Sequence, residues 1–167
     1  MQPSNDHLLT RLVRLDEFGS EAYTASLVAG ETELKAIAER LDIENAKAFA
    51  AELSITRRDT LIRIEGSIRG DLGRTCVVSL EPMRETIEED FTAEYITEAG
   101  DEREGEFEAD LDAPEPLEGD TLNLWDVALE QLVLSMSAHP RIEGAEAPKD
   151  PGAGARISPF DALKGLT

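Results

Sequence analysis

The chain has 167 residues, 41% hydrophobic but only 5% aromatic, and its 36 acidic against 16 basic residues give a formal charge of −20. A domain of this length buries roughly 70% of the surface of its unfolded chain, and the single cysteine, Cys76, with only His7 and His139 beside it, excludes an internal disulfide framework or a Cys/His zinc site within the chain. No apolar run approaches the roughly 20 residues of a spanning helix, and the opening MQPSNDHLLTRLVRL lacks the apolar stretch and cleavage site of a secretory signal, so the expected location is cytoplasmic.

Taken in chain order, residues 12–14 and 23–29 read as two strands around the polar, glycine-containing turn EFGSE. After Gly30, Leu34, Ile37, Ala38 and Leu41 recur at i, i+3, i+4 and i+7. That spacing predicts a surface helix, with Thr32 as its cap and Glu31 and Glu33 at the positive end of its dipole. The next stretch fits two periods, since Ala46, Phe49, Ala50 and Leu53 have helical spacing while Phe49, Ala51, Leu53 and Ile55 alternate. Ser54, Ile55 and Thr56, followed by the turn-forming Arg-Asp-Thr, select a strand over 49–57.

From Leu61 the alternation is plain: Ile62, Ile64, Gly66 and Ile68 share one face, and Arg63, Glu65, Ser67 and Arg69 the other. This is the pattern of a half-buried antiparallel strand, expected to run past Gly70 and Gly73 as far as Val78. Ser79-Leu80-Glu81-Pro82 reads as a turn, after which Ile87, Phe91, Ala93 and Tyr95 resume a period of two, with Glu89 out of pattern at an inward position. The two long strands should form a hairpin around that turn. Residues 97–106 are too polar to bury, Phe107, Ala109 and Leu111 offer one short strand, and 114–120 form a loop. Leu124, Val127, Ala128, Gln131, Leu132, Val133 and Met136 define a second helix with a broad apolar face, ended by His139-Pro140.

The expected architecture is therefore α+β: a twisted antiparallel sheet of about five or six strands, open or curled towards a barrel, covered by two helices. Residues 1–140 make one domain with an acidic loop. Residues 141–167 make a flexible Gly/Ala/Pro linker and a docking tail, in which Ile157, Phe160 and Leu163 lie three apart and latch onto the domain or onto a partner.

Charge is unevenly spread, with a net −15 between residues 85 and 120, directly after the net-positive stretch 56–84, whose bases are all arginines. Arg57, Arg58, Arg63, Arg69, Arg74 and Arg84 either meet RNA phosphates or pair across the sheet with Glu88, Asp90 and Glu94. The acidic set, Glu88, Glu89, Asp90, Glu94, Asp110 and Asp112, is either a solvated face or a surface for a basic protein. Asp110 and Asp112 in principle also suit a divalent cation. Cys76, two residues after Arg74, is either a reactive thiol or a buried cysteine. Dinucleotide, phosphate-loop and nucleophile-elbow motifs are missing, so no catalytic residue, cofactor or small-molecule substrate is expected.

Gly66, the run Cys76-Val77-Val78-Ser79-Leu80-Glu81-Pro82-Met83, Ile87-Glu88-Glu89-Asp90-Phe91, Ala113-Pro114-Glu115-Pro116-Leu117, the helix 124–136 and the terminal Ser158-Pro159-Phe160-Asp161-Ala162-Leu163 together resemble the YceD family, in its alphaproteobacterial style. These are small bacterial proteins, with plastid relatives, linked to accumulation of large-subunit ribosomal RNA. The likeness runs in order over about residues 10–165. It implies a signature turn at Cys76, Ser79, Leu80, Glu81 and Pro82, and a non-enzymatic role in 23S rRNA maturation or large-subunit assembly. Many members carry a second cysteine three residues after the first, and some carry more beyond the last helix. Here Ser79 and Arg141 stand near those places, so no metal role carries over. The expected partners are precursor rRNA, a basic ribosomal protein, or both. The rivals are a carboxylate-based, metal-dependent RNA-processing enzyme and an acidic scaffold unrelated to ribosomes.

Overall fold

The computed structural model describes residues 8–97 and 114–148. Its centre is a five-stranded sheet in the order β2 (Tyr23–Val28), β3 (Asn45–Arg58), β4 (Leu61–Thr75), β5 (Pro82–Ile96) and β6 (Glu115–Pro116). All pairings are antiparallel except β5 with β6. The sheet is open, not closed into a barrel, and with α1 (Glu31–Arg40) and α2 (Leu124–Ser135) packed on it the fold is α+β. A separate two-stranded ribbon joins β1 (Leu12–Arg14) to β7 (Thr121–Asn123).

Alternation decides which face is buried. Phe49, Ala51, Leu53 and Ile55 of β3 and Ile62, Ile64, Ile68 and Leu72 of β4 all point inward and are buried. The strand reading of the ambiguous stretch is correct, and β3 starts four residues earlier than expected, at Asn45. α1 lies on β3, and α2 lies on β4 and β5. Trp125 of α2 meets the ring of Phe49 at 6.1 Å between centroids. Gly66 sits where its two neighbouring strands leave no room for a side chain: a Cβ there would stand 2.6 Å from the carbonyl oxygen of Glu52 and 3.0 Å from Phe91.

Several local expectations change. The first two strands do not pair with each other, because β1 is drawn away to β7, with Val13 and Leu122 buried opposite one another. Thr32 is not the cap of α1: Leu34 N–H already bonds the Gly30 carbonyl at 2.9 Å, so Gly30 is the cap and Thr32 lies inside the first turn. Asn123 caps α2, its side chain accepting from Trp125 N–H. The residues read as a loop over 114–120 include the two-residue strand β6. Finally, β4 stops at Thr75 and not at Val78, because Cys76 N–H bonds the Glu81 carbonyl at 2.9 Å and Leu80 N–H bonds the Cys76 carbonyl at 3.0 Å, closing the chain into a turn.

Candidate functional site

The β4–β5 hairpin carries most of the residues singled out in the sequence, and its register distributes them. Counting from Thr75 opposite Pro82, Arg69 falls opposite Glu88 and Arg63 opposite Glu94, all on the face of the sheet away from the helices. Both pairs are formed, at 3.0 Å each, and Arg63 also reaches Glu65 at 3.1 Å. Arg84 meets Asp71 at 2.6 Å and holds its carboxyl below the usual carboxylate range. The outer face of β3–β5 thus sets Arg58, Arg63, Arg69 and Arg84 among Glu52, Glu65, Asp71, Glu88, Asp90 and Glu94. Carboxylates outnumber arginines there, so the field over this face is not that of a basic patch. Arg58, Arg63, Thr56, Leu61 and Glu94 line a shallow depression of about 310 Å³ at the tip of the face.

The other two arginines do structural work. Arg57 donates to the carbonyls of Leu15 at 2.8 Å and Asp59 at 2.9 Å, tying the β1–β2 connection to the sheet. Arg74 turns inward and pairs with Glu85, both side chains only 14% exposed. Arg74 also donates to the Ser137 carbonyl, while Glu85 accepts from Ser137 N–H at 2.7 Å. The pair therefore clamps the hairpin to the end of α2, a function the sequence reading did not assign to it.

Beside this clamp is the turn Cys76–Glu81. The Cys76 sulfur is fully buried and accepts backbone N–H bonds from Ser79 and Ile142, each at 3.4 Å. The Ser79 side chain, then these backbone donors, outweigh burial and bring the thiol down to about 6. Val77 N–H bonds the Pro140 carbonyl at 2.9 Å, so residues 140–142 run against the turn. Leu80 holds left-handed backbone, φ +62°, with an exposed side chain.

The acids of β5 divide between the faces. Glu88, Asp90 and Glu94 point outward; Glu89 takes the inward position opposite Ile68 yet stays exposed. Among the described residues Glu89 and Asp90 have no ion-pair partner. Where β6 joins the edge, Tyr95 donates to Glu130 of α2 at 3.4 Å. Burial and then the nearby Glu115 push the Glu130 carboxyl up, and burial raises Tyr95 as well. Among the described residues no three His, Cys, Asp or Glu side chains converge as a metal-ligand set. Asp110, Asp112 and the short strand expected at Phe107–Leu111 lie outside the described residues, as do Ile157, Phe160 and Leu163 of the tail.

The hairpin apart from its first three residues, the Cys76 turn and α2 fall within residues 64–167, which match the family described as large ribosomal RNA subunit accumulation protein YceD. The chain belongs to this family. No curated protein and no solved structure matches it. Membership of the YceD family gives the protein a ribosome-related role. No helix among the described residues is long and apolar enough to cross a membrane.

Proposed function

We propose that the protein is a non-enzymatic factor of large-subunit assembly in the cytoplasm, and that its acidic hairpin holds a basic ribosomal protein. The carrying observation is that the arginines of the outer face are already matched by a larger number of carboxylates, at Arg63–Glu94, Arg69–Glu88 and Arg84–Asp71. An RNA backbone binds through Lys and Arg that are free to displace the counterions condensed on its phosphates. A surface with this balance, on a chain of net charge −20, instead attracts a basic protein.

A second reading has one observation behind it. The Arg69–Glu88 pair is exposed on both sides, 72% and 71%. Such a pair contributes little and can be exchanged for a phosphate, so Arg63 and Arg69, with Arg58 beside them, would touch precursor RNA.

Affinity purification of the tagged full chain from a native low-salt lysate, with and without nuclease, separates the readings. Large-subunit ribosomal proteins that stay bound after nuclease, and leave as salt rises, are the expected result. Recovery of large-subunit components only while RNA is intact would overturn the basic-protein reading in favour of the arginine face.

A further inference from the structure

β5 is paired along its whole length with β4, but on its other side β6 meets only Tyr95 and Ile96. Among the described residues, Pro82–Glu94 thus presents an unpaired backbone edge of thirteen residues, about 40 Å long at the rise of an extended strand. Unpaired edges are templates for another strand, and proteins that keep one exposed usually guard it with charge.

Here the charge left unpaired is negative. Arg84 is paired with Asp71, and Glu85, Glu88 and Glu94 are each paired with an arginine of β4, while Glu89 and Asp90, on opposite faces of the sheet, have no ion-pair partner among the described residues. Each candidate occupant can be weighed against that. A second copy paired antiparallel about Glu89 would set Glu88-Glu89-Asp90 against itself. The segment 98–113 of the same chain brings eight carboxylates and one arginine, Arg103. Like charges directly opposite each other in a ladder are destabilising, and opposite charges stabilise it. The strand that this edge fits is extended and rich in Lys or Arg.

We propose that the Pro82–Glu94 edge of β5 binds its partner by strand addition, pairing with an extended basic segment whose Lys and Arg side chains meet Glu88, Glu89 and Asp90. This rests on the reading that the partner is a basic protein, and adds how it is held. The backbone ladder supplies affinity, and the flanking carboxylates select the charge of the incoming strand.

The test uses the full chain and a short capped peptide of alternating Lys and Thr, with the same peptide methylated at every backbone nitrogen as its control. The control keeps the charge and loses the donors of the ladder. Binding is followed by amide chemical shifts. The expected result is that shifts concentrate on residues 82–94 and that the methylated peptide binds about tenfold more weakly or worse, the loss of a few ladder bonds. Glu89→Gln with Asp90→Asn, both exposed positions, should weaken the unmodified peptide several-fold.

Equal binding of the two peptides would overturn strand addition. So would strong protection from hydrogen exchange of every β5 amide in the free protein, which would mean that the edge is already covered. Titration with an intact basic large-subunit ribosomal protein keeps the two levels apart. If that protein binds and the peptide does not, only strand addition fails. If neither binds, the reading beneath it fails too.

Discussion

At the scale of single residues the most unusual chemistry belongs to Cys76. Its sulfur is buried, which by itself favours the neutral thiol, yet the Ser79 side chain and the N–H groups of Ser79 and Ile142 all stabilise the thiolate and lower the thiol from 9.0 to about 6. An acid whose folded value lies below its unfolded one adds stability at pH above the unfolded value. That contribution shrinks as pH falls and is gone below the folded value. The window for Cys76 is therefore pH 6 to 9. Urea titrations of the natural chain and Cys76→Ala should give midpoints that draw apart as pH rises through this window, whatever constant difference the lost packing adds. Replacing Ser79 by Ala should shift the ultraviolet thiolate titration upward. Midpoints that stay parallel across the window would mean that the sulfur remains protonated and that its donors serve only to shape the turn.

At the scale of elements, the hairpin separates ion pairs that matter for stability from those that do not. Arg69–Glu88 is a cross-strand pair in water, and such pairs contribute about 0–1 kcal/mol. Arg74–Glu85 is largely buried, and Glu85 also holds the Ser137 N–H at the end of α2, so removing Arg74 leaves a carboxylate without its counter-charge in a poorly solvated place. Chemical denaturation should therefore show Arg69→Ala within about 1 kcal/mol of the natural chain. Arg74→Ala should be lower by about 3 kcal/mol. Similar losses in both variants would contradict this division of labour. Most of these elements could be read from the sequence, because Ile62, Ile64 and Ile68 alternate without interruption and Leu124 to Leu132 keep helical spacing. The cross-strand pairing of Arg63 and Arg69 was also legible as one of two alternatives. What set its register was hidden: the turn begins at Cys76 because of two backbone hydrogen bonds, and the apolar Cys76-Val77-Val78 reads locally as more strand. The Arg74 clamp was illegible for a different reason. Its partners Glu85 and Ser137 meet only when α2 folds back over the hairpin, and no local period records that contact.

At the scale of the whole molecule, one quantity governs both folding and association, and salt acts on the two in opposite directions. Compact folding gathers a net charge of −20 into a small volume, so the native state bears more self-repulsion than the expanded chain. The exposed pairs on the outer face relieve this only locally. Screening acts over about 10 Å at 0.1 M salt, which reaches between neighbouring carboxylates all over the surface. The midpoint of thermal unfolding should accordingly rise as sodium chloride is added from low ionic strength to the physiological range, while affinity for a basic ribosomal protein falls over the same range. Calorimetry and a binding titration in matched buffers test both halves. A midpoint that falls with salt would mean that Arg63–Glu94, Arg69–Glu88 and Arg84–Asp71 outweigh the general repulsion. The excess of carboxylates would then be too well compensated to serve as an attractive surface. A rising midpoint with falling affinity is the behaviour of a chain that keeps its negative field unneutralised until a basic partner arrives, and such a partner should in turn raise the unfolding midpoint at low salt by mass action.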